Sequence, residues 1–385
     1  MKKLTCFIIL YFSLSGVLLH AGAGYIYLFN KPLYDKAKYK ALEKFENYFP
    51  ALAYPKAVAI ENYDLDKEIE LNFGLWQHIP NYPIGHTPEV FYSDNFDSLT
   101  SAASSLSHGS TLVIKEGVYR QPLIITANDV TVIGLGHVVI EDTSAEGKAA
   151  IVLKGNYSSI ANIECRYIKV QHDNGACIRL EGKNLNIDHV YFHSSQQGIL
   201  SGQNSGQVLI RNSRFEKLGY KGYAHGIYIG GGELFIDNSL FIAAKNQGHE
   251  IKSRALSTII QNSIITSLSS DDSRLIDFPN GGRLTITHSI LHQGPRSKNM
   301  DAIGFGLERP PSEKDLITIK NSSIILERSG SNRFIHFADP GTTRSIENNL
   351  IITNEIPNLK DSNMTFTSRK EAGLPSYPNL KFLNQ

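Results

Sequence analysis

The segment Gly248–Ala255 carries three charged residues, and one uncharged residue separates each from the next. These are Glu250, Lys252 and Arg254. Side chains of a β-strand alternate between its two faces, so this spacing predicts that all three charges project from one face, with Cα atoms roughly 6.5–7 Å apart. A carboxylate, an amine and a guanidinium on one face can bind an anionic substrate and transfer its protons.

Such a group suits abstraction of the proton at C5 of a uronic acid. The sugar carboxylate must first be neutralised by a cation or an arginine, so that the carbanion-like state is tolerable. Lys252 is the first candidate for the base, and Arg254 is the alternative. Tyr228 or His249 is the candidate acid for the leaving oxygen. Loss of the 4-linked sugar gives β-elimination, whereas return of a proton to the opposite face gives C5-epimerisation.

The element that must position these residues is a sequence repeat. An isoleucine followed two residues later by Asn or His recurs about every 27 residues. The last residues of this motif are Asn162, His189, Asn212, Asn238, Asn262, His288, Asn321 and Asn348, with Gly134 as an earlier relative. Three residues further on lie Cys165, Phe192, Phe215, Phe241, Ile265, Leu291, Ile324 and Ile351. A second row, in phase with the first, contains Ile151, Ile178, Ile199, Ile227, Ile251, Ile276, Ile303 and Ile335.

Rows of this kind predict an all-β fold, a right-handed parallel β-helix of about nine to ten coils in which equivalent apolar residues stack. Asn suits the tight turn because it tolerates left-handed backbone geometry, and stacked amides can hydrogen-bond along the column. The register places Tyr228 one coil below Lys252 and Asp277 one coil above it. The residues predicted to bind substrate are Arg179, His225, Asp277 and Asn280.

The chain divides into four predicted regions. Residues 1–29 are a signal peptide or a signal anchor, because Lys2 and Lys3 precede an apolar run over residues 4–29, and both alternatives stay open. Residues 30–88 form an N-terminal helix over Leu33–Phe49 and an irregular linker or cap. The β-helix occupies residues 89–360, including a short helix from Asp97 to Leu106 with Asp97 as its N-cap. Residues 361–385 are a tail that is predicted to pack loosely on the last coil.

Composition narrows the cellular location and the partners. Lys and Arg number 38 and Asp and Glu 37, so no basic surplus points to nucleic acid. Because the positive residues that precede the apolar run stay in the cytoplasm, the remainder is predicted to be exported. The protein is therefore expected in the periplasm, free or anchored in the inner membrane through residues 4–29, or secreted.

The cysteines and an adjacent pair of aspartates are predicted to have structural rather than catalytic roles. Three cysteines are too few for a disulfide scaffold. Cys165 belongs to the apolar stack, whereas Cys177 has the opposite strand parity, which argues against a disulfide between them. Asp271 and Asp272 lie in a Ser- and Asp-rich turn and are predicted to be solvated.

The order of a strand, a short helix and Gly117-Val118-Tyr119 resembles the opening turn of pectate-lyase-like β-helices. The segment Glu250–Ser253, followed by Ile259–Asn262, resembles the chondroitinase B and alginate lyase family. That resemblance implies that Glu250 helps to hold a calcium ion and that Lys252 is the base. The family has a catalytic arginine on the next coil, where this chain has Asp277. The chain also resembles a broad bacterial group of β-helix repeat proteins with no settled activity.

Two kinds of function fit these observations. One is an enzyme that acts on an acidic, uronate-containing polysaccharide, by β-elimination or as a C5-epimerase. The other is a non-catalytic protein for glycan binding or envelope polysaccharide assembly, in which Arg179, Lys252 and Arg254 supply charge contacts and Tyr228 a stacking surface. An outward charged run can also be merely a solvated strand surface, and turn histidines can simply cap turns.

Overall fold

The computed structural model describes residues 63–85, 87–310, 312–355, 357, 359 and 362–381. All of these belong to one compact unit, Ala59–Gln385. The predicted helix Leu33–Phe49 and the apolar run over residues 4–29 lie outside the described residues. Within the described ranges, the helices are all too short or too polar to cross a membrane.

Strands dominate the described part of the chain, and a short 3₁₀ turn spans Ser93–Asn95. The helices are α1 (Leu65–Phe73) and α2 (Leu99–Ser104). The strands are β1 (Val90–Tyr92), β2 (Thr111–Tyr119), β3 (Leu123–Ile125), β4 (Thr131–Glu141), β5 (Ala149–Leu153), β6 (Ser158–Ala161), β7 (Glu164–Arg166), β8 (Ala176–Leu180), β9 (Leu185–Asp188), β10 (Tyr191–His193), β11 (Gln197–Ser201), β12 (Gln207–Arg211), β13 (Arg214–Glu216), β14 (Ile227–Ile229), β15 (Glu233–Asp237), β16 (Leu240–Ile242), β17 (Ile251–Ser253), β18 (Ser257–Gln261), β19 (Ile264–Thr266), β20 (Ile276–Phe278), β21 (Arg283–Thr287), β22 (Ile290–Gln293), β23 (Asp301–Phe305), β24 (Leu316–Lys320), β25 (Ser323–Leu326), β26 (Arg333–Phe337), β27 (Thr343–Glu347), β28 (Leu350–Thr353) and β29 (Met364–Phe366).

The strands form two parallel sheets that wind as a right-handed β-helix, so the predicted fold is confirmed. Among the described residues, one sheet has 9 strands, β3, β5, β8, β11, β14, β17, β20, β23 and β26, and is called here the groove sheet. The other has 20 strands; the first coils contribute one long strand each, β2 and β4, and the coils from β6 and β7 to β27 and β28 contribute two short strands each, such as β12 and β13. From β6 onward, one full coil is therefore two strands of the large sheet followed by one strand of the groove sheet.

The apolar rows predicted from the sequence stack in register. In the first row, Ile210 pairs with Ile187 below and Ile236 above. In the second row, Ile251 pairs with Ile227 and Ile276. The stack that begins at Cys165 continues through Phe192 and onward to Ile351. These side chains are buried and form one continuous core along the axis of the solenoid, which no single coil could bury alone.

The tight turn between the paired strands of the large sheet has the predicted left-handed backbone. Asn212 and Asn238 have φ of 50° and 46°. The Asn238 side-chain amide donates to the Asn212 amide oxygen at 2.7 Å, but Asn262 donates instead to Asp237, so the predicted amide column is only partial. A column of serines follows directly after this turn position. In this column the backbone N–H of one serine donates to the side-chain hydroxyl of the serine one coil above, at 3.1–3.2 Å, and the members are Ser213, Ser239, Ser263, Ser289 and Ser322.

A short helix N-terminal to the β-helix was predicted and is present, but both described helices differ from the predictions in their bounds. Helix α1 lies in a region predicted to be irregular, and Asp64 caps it by accepting from the Lys67 backbone N–H. It packs onto the solenoid through Ile69, which is buried against an apolar cluster. Helix α2 begins after Ser98, whose side chain and Ser101 form a reciprocal capping box, so the predicted cap at Asp97 is wrong by one residue.

The C-terminal tail is bound more tightly than the sequence indicated. Strand β29 pairs in parallel with β28. The Tyr377 hydroxyl donates to the Glu68 carboxylate at 2.8 Å, and the Leu380 backbone N–H donates to the Asn72 side chain at 2.7 Å. The tail and α1 therefore hold each other against the same side of the solenoid.

Cys165 and Cys177 form a disulfide, contrary to the parity argument. Both side chains are fully buried in the core. The parity argument fails because two successive residues face inward where each coil enters the groove sheet. The residue before each second-row isoleucine is buried as well, at Ala150, Cys177, Leu275, Ala302 and Phe334. Strict alternation of side chains begins only after this corner.

We expect that thiol labelling of the unfolded full chain without reductant will modify only one of its three cysteines, and that reduction will expose all three. Because the bond closes a short loop, replacing Cys165 and Cys177 by serine should lower the free energy of unfolding by about 3 kcal/mol. Urea unfolding followed by circular dichroism measures the change, and Cys6→Ser is the matched control that leaves the pair intact. Three reactive thiols before reduction would contradict the disulfide.

Candidate functional site

The outward positions of the groove sheet form a column of polar side chains. Tyr228 pairs with Lys252, and Lys252 with Asp277, so these three residues lie on successive coils as predicted. Arg179 lies two coils below Tyr228, with Leu200 between them. Neighbouring coils are about 4.8 Å apart, so this column spans several sugar-sized steps along the solenoid.

Lys252 lies at the centre of this column and is bound by two carboxylates. Its Nζ is 2.9 Å from Asp277 Oδ2 and 3.5 Å from Glu308 Oε1. The ammonium also lies 5.8 Å from the centre of the Tyr228 ring. The Lys252 side chain is 13% exposed, and it lies beside Tyr228 and Arg254, two residues that line the groove described below.

Arg254 donates hydrogen bonds from all three nitrogens of its guanidinium group. Its Nε donates to the Tyr228 hydroxyl at 2.8 Å, and its Nη1 donates to the Asn280 side-chain oxygen at 2.7 Å. Its Nη2 donates to Glu308. The planar fork therefore fixes the position of the phenol and holds a carboxylate on its remaining edge.

A groove with a volume of about 900 Å³ runs beside these residues. Four of the predicted site residues line it: Arg179, Tyr228, Arg254 and Asn280. The rim carries Tyr223 and Leu256, which are 76% and 77% exposed. Guanidinium and amide groups on the wall, with apolar surface on the rim, suit an elongated ligand that has both charged and apolar faces.

His225 and His249 lie behind the groove surface rather than on it. Their rings stack with centroids 4.8 Å apart, and both side chains are buried. Each Nδ1 accepts a backbone N–H at 3.1 Å, from His249 and Arg274 respectively. Burial holds the pKa of both imidazoles well below the ordinary value, so both rings are neutral and carry their proton on Nε2.

Asp277 is a buried partner of cations. Its side chain is 3% exposed, and Arg274 approaches its Oδ1 at 3.3 Å. His249 Nε2 is 3.6 Å from its Oδ2, which is beyond hydrogen-bond distance. The predicted substrate contacts of Asp277 and His225 are therefore blocked in this conformation, and Asp277 instead orients Lys252.

Glu250 does not share the face of Lys252 and Arg254, so that prediction is wrong. Its side chain is 1% exposed and accepts from the Ala244 backbone N–H. The cause is the corner described for Cys177, because Glu250 directly precedes the second-row residue Ile251. Burial and the nearby Asp272 raise the pKa of Glu250 well above its usual range.

Asp272 is also buried, contrary to the prediction of a solvated turn. Its Oδ2 accepts from the Ser267 hydroxyl at 2.7 Å. Burial raises the pKa of Asp272 to about 8. Glu250 and Asp272 thus form an interior carboxyl pair that is kept at least partly protonated at neutral pH.

Several residues near the groove were not predicted as part of the site. Glu308 reaches Lys252 and Arg254 from a loop whose length the repeat does not fix. One coil above Asp277, Asp301 binds Arg274 and Arg333. The long coil interval over residues 293–314 was the available sequence signal, because an insertion beside a groove strand can reach into the groove.

Calcium is the cofactor that the family resemblance implies, with Glu250 as a ligand. The Glu250 carboxylate faces the interior, and Asp277 is bound by Lys252 and Arg274. Over the ranges that the structure describes, no group of three or more His, Cys, Asp or Glu side chains is placed to hold a metal ion. These donors do not fit the implied site, so no step proposed below uses calcium.

Comparison with known proteins supports the fold. No protein-family model and no curated protein sequence matches the chain. Among solved structures, the chain is similar to an alginate lyase from Paenibacillus sp. str. FPU-7, with a TM-score of 0.51 and 16% identity over 73% of this chain and 96% of that one.

Two further solved structures are more distant. Pectate lyase Pel9A matches with a TM-score of 0.44 and 13% identity, over 65% of this chain and 79% of its own. Pectin methylesterase PemA from Erwinia chrysanthemi matches with a TM-score of 0.38 and 14% identity, over 78% of this chain and 98% of its own. The predicted resemblance to alginate lyases is confirmed at the level of the fold by the Paenibacillus structure, and the chain is a right-handed parallel β-helix.

Proposed function

We propose that this protein cleaves an acidic, uronate-containing polysaccharide by β-elimination in the groove beside Lys252. The observation that carries the proposal is the arrangement of Arg254, which joins Tyr228, Asn280 and a carboxylate at the wall of the groove. A guanidinium that already holds a carboxylate is suited to bind the carboxylate of a uronic acid and to stabilise the negative charge that develops beside it.

In the proposed reaction, Arg254 neutralises the uronate carboxylate while Arg179 binds a second acidic residue further along the chain. Lys252 transfers one proton to Asp277, at 2.9 Å, and the neutral amine then removes the proton at C5. The electron pair forms the C4–C5 double bond as the bond from C4 to the glycosidic oxygen breaks. Tyr228 gives its proton to that oxygen. At this point Lys252 carries the proton taken from C5, and the proton held by Asp277 returns to Tyr228 through the solvent.

His249 was the alternative acid, and its geometry is less favourable. It lies behind Lys252, and its Nε2–H faces Asp277 rather than the groove. Tyr228 lines the groove directly. We therefore assign the acid role to Tyr228 and a supporting role to the stacked imidazoles.

We propose that the protein acts outside the cytoplasm. The buried disulfide between Cys165 and Cys177 supports this location, because disulfides persist in oxidising compartments. The apolar run over residues 4–29 supplies the export signal or the inner-membrane anchor.

The experiment is to incubate the protein with a panel of uronate-containing polysaccharides, with calcium and with a chelator. Elimination leaves an unsaturated sugar, so we expect ultraviolet absorbance to rise on at least one polymer and to persist with the chelator. Absence of any rise would refute elimination. Proton NMR of the same samples would then distinguish a C5-epimerase, which changes the sugar signals, from a protein that only binds the polymer.

A non-catalytic role in binding or assembling an envelope polysaccharide is the second candidate. One observation favours it: Lys252 is ion-paired with two carboxylates, as expected of a group that only contributes charge. Under this alternative the polymer binds to the groove and is recovered unchanged.

A further inference from the structure

A short loop after strand β23 brings an acidic side chain over the two cations of the groove. This segment, Gly306–Pro310, is called here the Glu308 loop. Its backbone is anchored to the coil below, because the Gly306 N–H donates to the Phe278 carbonyl and the Glu308 N–H donates to the Pro279 carbonyl, both at 2.9 Å. The anchors leave the Glu308 side chain free to extend toward Lys252 and Arg254.

The Glu308 carboxylate binds both cations from the solvent side. One oxygen accepts from Arg254 Nη2, and the other lies 3.5 Å from Lys252 Nζ. Although burial opposes it, hydrogen bonding from Arg254 and the charge of Lys252 lower the pKa of Glu308. The side chain remains 47% exposed, in contrast to Asp277, which is 3% exposed.

Glu308 is the ligand of Arg254 that can be exchanged most easily. Tyr228 belongs to strand β14, so its hydroxyl is held by the groove sheet. Asn280 lies in the turn after β20 and lines the groove wall. The Glu308 side chain is 47% exposed, whereas Tyr228 and Asn280 are both partly buried.

We infer that the Glu308 carboxylate is an internal stand-in for the substrate carboxylate. It occupies the subsite formed by Lys252, Arg254 and Asn280 while the groove is empty, and the carboxylate of an acidic sugar displaces it on binding. This inference rests on the proposed function and deepens it, because it assigns the subsite to a carboxylate ligand. Binding then exchanges one ion pair for another, so Glu308 weakens the affinity for acidic chains and shields the two cations from unrelated anions.

The test is Glu308→Gln, which removes the charge and keeps the shape of the side chain. Isothermal titration calorimetry would measure binding of alginate and polygalacturonate oligosaccharides, with a dextran oligosaccharide as the uncharged probe. We expect Glu308→Gln to lower the Kd for at least one acidic probe by about tenfold, because the competing charge is gone. Dextran binding should be equal in both proteins.

The matched control is Glu313→Gln, a nearby exposed carboxylate that should leave every Kd unchanged. Unchanged or weaker binding of acidic probes by Glu308→Gln would overturn the inference, and the proposed function would stand if the wild type still cleaves them. Tighter binding without cleavage by any variant would support the inference and refute elimination. If no variant binds an acidic probe, both fail.

Discussion

Replacing Lys252 by alanine is expected to reduce the rate of polysaccharide cleavage by about 10²- to 10⁴-fold, the usual contribution of a positioned proton-transfer group. The amine lies 2.9 Å from the Asp277 carboxylate and 5.8 Å from the centre of the ring of Tyr228, which lines the groove. No other amine is described in the column of Tyr228, Lys252 and Asp277. The ultraviolet assay for unsaturated sugar measures the loss.

The control for this variant must separate lost chemistry from lost structure. Lys320→Ala removes an outward, ion-paired lysine from strand β24 of the large sheet, where it contacts Glu347 at 3.1 Å, and it should keep full activity. Thermal unfolding by circular dichroism shows whether Lys252→Ala is folded. Asp277 retains Arg274 as a partner at 3.3 Å, so we expect the fold to survive. Cleavage at the wild-type rate by folded Lys252→Ala would refute the assigned base.

Phe215→Ala is expected to cost about 3–5 kcal/mol of unfolding free energy, since it empties a large buried site. The Phe215 ring stacks on Phe241 with centroids 4.7 Å apart and meets Phe192 edge-on at 5.6 Å. It also fills the space beside Gly198, where an added Cβ would lie 2.9 Å from the ring. Urea unfolding measures the loss.

Phe235→Ala is the matched control, because Phe235 lies on the outward face of the next coil, with Arg211 above its ring at 5.7 Å. Its neighbours Leu234 and Ile236 in strand β15 point inward. We expect a loss below about 1 kcal/mol for this variant. Equal losses in the two variants would contradict the assignment of inward and outward faces.

The coil architecture could be predicted because each coil places apolar residues and turn residues at the same positions. A chain that must stack equivalent positions shows those positions as rows, and every row aligned in the sequence pairs in the structure, from Ile160 with Ile187 to Ile319 with Ile346. The three successive coils that carry Tyr228, Lys252 and Asp277 followed from the same alignment. The recurrence of the rows predicted both the strands and their register, which the sequence of a single coil could not do.

The errors at Glu250 and Cys177 have one physical cause. Strand alternation was applied one residue too early, at the corner where the chain bends into the groove sheet and two successive side chains face inward. A column of apolar residues one position before the isoleucine row, such as Leu275 and Ala302, was the signal for this corner. A glutamate in that column is expected to be buried, as Glu250 is.

The sequence did not predict the place of Glu308 in the groove or the position of helix α1, and the reason for these two omissions is different. Glu308 lies on a loop whose path depends on backbone contacts with Phe278 and Pro279, and these belong to another coil. Helix α1 likewise depends on contacts with the distant residues Leu268 and Leu380. Neither element recurs, so no alignment of the chain with itself could locate it.

Because the coils share one register, the residues of the groove sheet are separated from one another by a whole number of coils. Ile178, Ile199 and Ile227 occupy the same position on successive strands, so loss or duplication of a complete coil leaves every row matched. The distance from Arg179 to Lys252 can therefore change only in steps of about 4.8 Å. Under the proposed function, any lineage that lengthens or shortens this solenoid therefore changes the spacing of the two acidic sugars bound by Arg179 and Arg254 by whole coils.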